Sequence, residues 1–427
     1  MSPTAAVFHS SIALLLTAVI PSGQVSRASC FSVGGMLKRA SILSCVLVRS
    51  SSFILPCDRG GLSHPHLHHG IRFARHMAAL SQSTLDEVDK DGNVKRTAST
   101  FRKTVGPAEP SHTPEAGRYH LYVCKACPWS QRALIAWALK GLQGVVGMSA
   151  THPTWQKTRP DDETDQHYGW AFAGADDPPF VPPGGFGSSP SGAGVVPDPL
   201  HNFKTVRQIY EMAVGEGVLK KYTVPILWDE KLKTVVNNES SEIIQIFNTA
   251  FNDVEGVGNP GLDLAPTTDQ EKAWADEVDG WMYDEVCNGV YKSGFAKSQE
   301  AYDRAVTSLF KHLDKLEEVL STRRYLAGDR VTLSDVRVFP SLVRFDEVYN
   351  VYFKCNKKRL ADYHNILNYV RDLYQSYPEA FALTTDMDHI KRHYYTSHPA
   401  LNTYAIVPVG PDFMKTLEEP HDRDRAF

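Results

Sequence analysis

Hydrophobic residues between positions 118 and 150 form the pattern of two strands with a helix between them. Residues 120–123, His-Leu-Tyr-Val, make a short, mostly apolar run of the length of a buried strand. Residues 131–140 place apolar side chains at helical spacing, and residues 144–150 form a second short apolar run. The stretch therefore predicts a first β-α-β unit.

A second group of elements follows an interval that has no periodicity. Residues 174–200 are rich in Gly, Pro, Ser and Asp, and we expect a long surface loop that is partly disordered. Helical spacing returns in residues 203–214. The apolar runs 224–229 and 234–237 fit a hairpin, and residues 240–251 fit another helix. The complete order, β-α-β-α-β-β-α, is that of a thioredoxin-like domain.

From residue 266 to about residue 376 the pattern is helical. Thr268-Asp269-Gln270-Glu271 and Thr332-Leu333-Ser334-Asp335 are capping-box sequences, and each predicts the start of a helix, so we assign Asp335 to folding. The predicted fold is an α/β thioredoxin-like N-terminal domain (residues 86–262) followed by an all-α helical bundle with a C-terminal tail (residues 263–427).

The first 85 residues have the composition of a targeting segment. Residues 1–57 contain no Asp or Glu, and residues 12–20 form an apolar run like the core of a signal peptide. Ala28-Ser29-Cys30-Phe31 resembles the cleavage site of a bipartite plastid signal. We expect a disordered segment that directs import into an organelle, a plastid rather than a mitochondrion, and is then removed. A translation start near Met77 would instead leave the protein in the cytoplasm.

The amino-acid composition argues against several classes of function. A net charge of −4 gives no support for nucleic-acid binding. No apolar run reaches the roughly 18 residues of a spanning helix, so we expect no membrane insertion. The seven cysteines have irregular spacing, which does not fit a disulfide framework. A lone Cys-x-x-Cys is weak evidence for zinc, and we expect no metal.

Cys127 is the strongest candidate for chemistry because it stands where the first strand turns into the first helix. Pro128 follows it and fits a first helical turn, which needs no N–H from that residue. The unpaired N–H groups of a helix N-terminus stabilise negative charge, so this position favours the thiolate. A thiolate there is suited to attack sulfur at neutral pH.

Separated motifs spread over about residues 90–412 occur in one order. They include residues 119–123 (YHLYV), 126–129 (ACPW), 169–172 (GWAF), 223–225 (TVP), 237–240 (NNES), 288–296 (NGVYKSGFA), 344–346 (RFD) and 393–395 (HYY). This set resembles the glutathione transferase superfamily, and within it the glutathionyl-hydroquinone reductases of the Xi class. The resemblance implies glutathione as co-substrate and Cys127 as catalytic thiol.

The resemblance also implies how glutathione is held. Val224, before a cis Pro225, pairs its backbone with the cysteinyl part of glutathione as an added strand would. Ser240 and its amide take the γ-glutamyl carboxylate at a helix start, where Ser240 also acts as N-cap, and Glu239 takes the ammonium. Lys221 stands where the family often has Arg near the glycine carboxylate, with the charge but without the bidentate fork.

Aromatic residues complete the implied site. Trp170 matches the tryptophan that lines the glutathione site of the family. Tyr291, Tyr349 and Tyr394 (or its neighbour Tyr395) match the tyrosines that line its electrophile pocket, where their hydroxyls donate to a phenolic oxygen.

Cys124 departs from the family pattern, which usually has a small residue without a thiol at this position. It is a candidate resolving thiol for Cys127. The alternative, which we favour, is a passive replacement on the strand end, because strand and helix geometry keep two such sulfurs apart.

The function implied is reduction of glutathionyl-hydroquinones to hydroquinones through a mixed disulfide between Cys127 and glutathione, with release of oxidised glutathione. Two alternatives stay open. One is an omega-like thioltransferase or dehydroascorbate reductase, and the other is a non-catalytic transferase-like scaffold. The resemblance further implies a homodimer formed through the helical domain.

Overall fold

A mixed four-stranded sheet organises the first half of the chain. The computed structural model describes residues 87–94, 96–192, 194–219, 221–425 and 427, and the targeting segment expected over residues 1–85 lies outside them. The strands are β1 (Tyr119–Val123), β2 (Val146–Ala150), β3 (Gln156–Lys157), β4 (Tyr168–Gly169), β5 (Ile226–Asp229) and β6 (Thr234–Asn237). The sheet has the order β2-β1-β5-β6, with β1 parallel to β2 and antiparallel to β5, while β3 and β4 form a separate ribbon.

Three helices accompany this sheet: α1 (Pro128–Leu139), α2 (Val206–Val214) and α3 (Ser240–Thr249). Almost every residue of α1 is buried. The reason is that α1 packs against α3 on one side and against the helical half of the chain on the other. The order of strands and helices is the one that the hydrophobic pattern predicts, apart from the short ribbon of β3 and β4, which it did not predict.

The second half is helical, as predicted. Its helices are α4 (Asp269–Met282), α5 (Gly289–Gly294), α6 (Gln299–Thr322), α7 (Leu333–Val343), α8 (Asn350–Tyr352), α9 (His364–Ser376), α10 (Met387–Ser397) and α11 (Phe413–Leu417). Both predicted capping boxes are formed, at the starts of α4 and α7. Wide π-type turns follow α4 (Tyr283–Cys287) and α7 (Phe345–Tyr349), and such turns are frequent at functional sites. Within the described part of the chain, no helix combines the length and apolarity needed to cross a bilayer.

The interval over residues 174–200 has little regular structure, as predicted, but several of its residues are well packed. Val195 is buried and forms a bridge with Ala150 at the end of β2. The buried Asp198 accepts a hydrogen bond from the hydroxyl of Tyr122 at 2.9 Å. Most of the interval is exposed, and the few buried residues are held by long-range contacts that local composition does not reveal.

A polar segment that precedes β1, residues 87–94 and 96–104, is here called the arm. Its amides at Phe101 and Lys103 donate to Asn238 Oδ1 and to the carbonyl of Val236, at 3.0 and 3.1 Å. The arm thus continues the sheet beyond β6 and brings its preceding residues to the N-terminal end of α3.

Candidate active site

Cys127 occupies the N-cap of α1, with Pro128 as the first helical residue. Its backbone is extended, and its carbonyl accepts from the N–H of Gln131 at 3.0 Å. The thiol makes no capping bond to the helix; Sγ lies 3.5 Å from the carbonyl oxygen of Val224. The sulfur therefore stands at the positive end of α1, as the sequence predicts.

The helical half holds the backbone that leads to this cysteine. The guanidinium of Arg344, which follows α7, donates to the carbonyls of Ala126 and Lys125 at 3.1 and 3.0 Å and also bonds Gln131 of α1. Arg344 is fully buried. Sequence reasoning did not give Arg344 a role, since its partners lie more than 200 positions away.

The peptide bond between Val224 and Pro225 is cis, as predicted. Strand β5 starts only at Ile226, so Val224 lies outside the strand ladder and beside the thiol. This places a backbone edge next to Cys127, where an extended ligand would pair as an added strand.

The start of α3 differs from the prediction in one respect. Glu239, not Ser240, is the N-cap: its carboxylate accepts from the N–H of Ser241 at 3.2 Å and from the hydroxyl of Ser99 at 2.9 Å. Ser240 is the first helical residue, and its buried hydroxyl has no hydrogen-bond partner among the described residues. Glu239 caps the helix because its longer side chain can fold back onto the N–H of Ser241. The hydroxyl of Ser240 is therefore not used as the cap.

A cavity of about 570 Å³ lies at this helix start. It is lined by the arm, by the loop before β5, by the N-terminus of α3 and by the turn between α4 and α5. The lining residues include Arg96, Thr97, Ser99, Trp129, Lys221, Thr223, Val224, Pro225, Glu239, Ser240, Asn288 and Tyr291. We call it the polar cavity. Four of the predicted glutathione residues and Lys221 thus meet in one place.

Lys221 forms an ion pair with Glu87 of the arm. Its Nζ lies 2.7 Å from Oε1 of Glu87, at the start of the arm. Burial on its own would raise the pKa of Glu87, but hydrogen bonds from Lys221 and Thr97 outweigh it and lower that pKa. An ionised carboxylate therefore sits on the lysine assigned to the glycine end of glutathione.

A second, smaller cavity of about 100 Å³ adjoins the first and is mostly aromatic. Its lining includes Cys127, Trp155, Tyr168, Trp170, Tyr291, Phe295, His393, Tyr394 and His398. We call it the aromatic cavity. The two cavities share Arg96, Trp129, Lys221, Thr223, Val224 and Tyr291. Cys127 lines the aromatic cavity, and its Sγ lies 3.5 Å from the carbonyl of Val224, which lines both cavities.

The three predicted tyrosines form one hydrogen-bonded group. The hydroxyl of Tyr394 contacts that of Tyr291 closely and that of Tyr349 at 3.2 Å. Burial raises the pKa of Tyr291 and of Tyr394 well above that of a free phenol, so both remain protonated donors. Tyr349 is fully buried behind Tyr394 and lines neither cavity. Tyr395 instead bonds the carbonyl of Glu347.

Histidines of the aromatic cavity were missed by the sequence reasoning. His393 Nδ1 lies 2.8 Å from the carbonyl of Pro153, which can only accept, so this nitrogen carries the proton. Burial lowers the pKa of His393 to about 4, and the ring is neutral at pH 7. Its Nε2 is therefore an acceptor. The motif HYY marked this position, but nothing in it separated a cavity residue from a core residue.

Cys124 lies at the end of β1 and is fully buried. Its Sγ is 3.3 Å from Nε2 of His389 in α10. Burial raises the pKa of this thiol to about 12, so it is protonated at neutral pH and is a poor nucleophile. Within the described ranges, no group of three or more His, Cys, Asp or Glu side chains is placed to hold a metal.

Comparison with known proteins agrees with this geometry. Models of the glutathione S-transferase N-terminal and C-terminal domains match residues 126–250 and 299–372. The α/β half followed by a helical half agrees with this order of an N-terminal and a C-terminal transferase domain.

Curated relatives extend over most of the chain. The glutathionyl-hydroquinone reductase YqjG of Escherichia coli strain K12 is 40% identical over 349 residues, which are 80% of this chain and 95% of that protein. The glutathionyl-hydroquinone reductase PcpF of Sphingobium chlorophenolicum is 40% identical over 76% of this chain and 92% of its own. The glutathione S-transferase omega-like 2 of Schizosaccharomyces pombe is 40% identical over 76% and 96%.

Solved structures give the same result. The glutathione transferase Xi of Phanerochaete chrysosporium is 42% identical, with a TM-score of 0.66 over 76% of this chain and 95% of that one. YqjG bound to glutathione has a TM-score of 0.64, with 40% identity over 76% and 96%. The chain belongs to the Xi-class glutathione transferases, the family of the glutathionyl-hydroquinone reductases.

Proposed function

We propose that this protein reduces glutathionyl-hydroquinones to hydroquinones, with glutathione as the reductant. One observation carries the proposal: Cys127 lines the aromatic cavity, and its sulfur lies beside Val224, which also lines the polar cavity. A substrate that joins a polar tripeptide to an aromatic ring through one sulfur atom matches that arrangement. The names of the relatives YqjG and PcpF support the same reaction.

In the first half-reaction, the thiolate of Cys127 attacks the glutathione sulfur. A disulfide bond forms between the two sulfurs, the bond from sulfur to the ring carbon breaks, and its electron pair passes to that carbon. A proton then completes the hydroquinone. The hydroxyls of Tyr291 and Tyr394 are the donors that line the aromatic cavity, and burial keeps them protonated.

In the second half-reaction, a free glutathione thiolate attacks the glutathione sulfur of the mixed disulfide. Oxidised glutathione leaves, and the thiolate of Cys127 returns, so the cycle is ping-pong in form. Glutathione is held by the backbone of Val224, by Glu239 and by the hydroxyl and amide of Ser240, with Trp170 along its side. Cys124 takes no part, because its thiol is buried and protonated.

Intact-mass measurement tests this course with a matched pair of variants, Cys127→Ser and Cys124→Ser. After exposure to a glutathionyl-hydroquinone without free glutathione, we expect wild type and Cys124→Ser to carry one glutathione and Cys127→Ser to carry none. Turnover should be abolished only in Cys127→Ser. An adduct retained by Cys127→Ser would contradict the assignment, and an adduct seen in Cys124→Ser but not in wild type would make Cys124 the resolving thiol.

A second candidate is the broader thioltransferase activity of an omega-like enzyme, because one relative of equal identity is named omega-like. The aromatic cavity favours the quinol substrate. Rates with a glutathionyl-hydroquinone and with a simple glutathione mixed disulfide, measured on the same preparation, decide between them. A chain that binds no glutathione at all would be a scaffold.

We also propose a homodimer formed through the helical half, which the family resemblance supports. Light scattering after size exclusion measures the oligomeric state directly.

For location we propose import into a plastid, on the composition of residues 1–85. A fluorescent fusion of that segment tests this proposal, and a cytoplasmic signal would favour a start near Met77.

A further inference from the structure

The arm places the guanidinium of Arg96 beside both cavities. Arg96 lines both the polar and the aromatic cavity. Its Cζ lies 3.6 Å from the centre of the Trp129 ring, a cation–π contact next to the Cys127 turn. Among the described residues it has no hydrogen-bond or ion-pair partner, and its Nη1 is buried. A partly buried guanidinium in that state is suited to an anion that a ligand brings.

A second cation stands nearby. Lys221 lines the same two cavities, and burial lowers the pKa of its amine, with the positive charge of Arg96 contributing to the shift. The carboxylate of Glu87 bonds Lys221 through Oε1, while its Oε2 is buried without a partner in the described part of the chain. Two cations thus line both cavities, and Glu87 pairs with one of them, Lys221.

We propose that Arg96 and Lys221 together bind the glycine carboxylate of glutathione, and that Glu87 competes with it for Lys221. The inference rests on glutathione being the substrate, as proposed above. Lysine alone supplies a point charge, whereas the planar guanidinium supplies the fork that matches a carboxylate. The arm therefore restores the bidentate contact that the lysine at position 221 lacks.

The contacts of the arm support this placement of glutathione, with its γ-glutamyl end at Glu239 and its glycine end at Lys221. Ser99 of the arm donates to Glu239, at the γ-glutamyl end of the proposed ligand, while Thr97 and Lys221 both donate to Glu87. Arg96 directly precedes Thr97, and its guanidinium lies over the ring of Trp129. Residues 94 and 96–100 of the arm thus line the polar cavity, which also contains Lys221 and Glu239.

Calorimetric titration of the full chain with glutathione and with its glycine-amide analogue tests the proposal. We expect wild type to prefer glutathione by at least about tenfold, the size of a charged hydrogen bond. Arg96→Gln should lower that preference about tenfold while binding the amide nearly as wild type does. The matched control is Arg102→Gln, the same change on the same arm at a residue that pairs with Glu242 and lines neither cavity.

A third variant addresses Glu87. Glu87→Gln keeps an acceptor for Thr97 but removes the competing charge, so it should tighten glutathione binding severalfold and leave the amide unchanged.

The proposal is overturned if Arg96→Gln keeps the wild-type preference, or if it weakens both ligands equally. An equal affinity of wild type for the two ligands would overturn it as well. Absence of glutathione binding in wild type would instead refute the proposed function.

Discussion

At the scale of single residues, the three tyrosines of the site differ in where their hydroxyls lie. Tyr291 and Tyr394 line the aromatic cavity, whereas Tyr349 only bonds the hydroxyl of Tyr394 from behind. We expect Tyr394→Phe to lower kcat by about 10²-fold or more, the usual contribution of a proton donor. Tyr349→Phe should lower it about fivefold, the worth of one ordinary hydrogen bond. Steady-state kinetics check this, and equal losses would show that Tyr349 acts on the substrate itself.

At the scale of elements, the two capping boxes have the same sequence logic but very different surroundings. Asp335 is fully buried and accepts from the N–H groups of Leu326 and Thr332 and from the hydroxyl of Tyr369. Thr268 caps α4 at the surface. We expect Asp335→Ala to destabilise the fold by about 3 kcal/mol, because it leaves several buried donors unpaired. Thr268→Ala should cost about 1 kcal/mol. Urea unfolding measures both, and similar values would contradict the argument.

The helix that the buried capping box starts, α7, also helps to position Cys127. Helix α7 packs against α1, and Arg344 at its end holds the backbone before Cys127. The position of the thiol therefore depends on a helix of the other half of the chain. The thioredoxin-like part alone lacks this support.

At the scale of the whole molecule, buried histidines set the response to acid. Burial lowers the pKa of His120, His152, His167 and His393 to about 4 each. Unfolding restores their ordinary value near 6.5, so below that pH the unfolded chain binds protons that the folded chain does not. Their contribution to stability is complete above pH 6.5 and is lost as the pH falls toward 4.

We therefore expect the melting temperature to fall between pH 7 and pH 5, with net proton uptake on unfolding. Buried carboxyls such as Asp279 and Asp346, whose pKa burial raises, oppose the effect, because they hold protons that unfolding releases. Calorimetry across this range measures the balance. A melting temperature that is constant or rises toward pH 5 would contradict the histidine argument.

Much of this architecture is readable from local pattern. Strand runs, helical spacing and capping boxes depend on neighbours within a few positions, and these predictions were confirmed from β1 through α7. The packing of Val195 and Asp198 within the interval 174–200 was not predicted for the same reason, since their partners lie in β2 and β1. Low local periodicity signals the absence of regular structure, not the absence of packing.

The sequence by itself determined that a cysteine caps the first helix, that a Val-Pro pair stands before β5 and that two unlike halves follow each other. Only the tertiary structure decided what surrounds that cysteine: Arg96 from the arm, Arg344 from α7 and a tyrosine group from three separate elements. The physical reason is the separation along the chain between the residues that interact. Helix caps are formed by adjacent residues, whereas cavities are formed by side chains that packing brings together from distant parts of the chain.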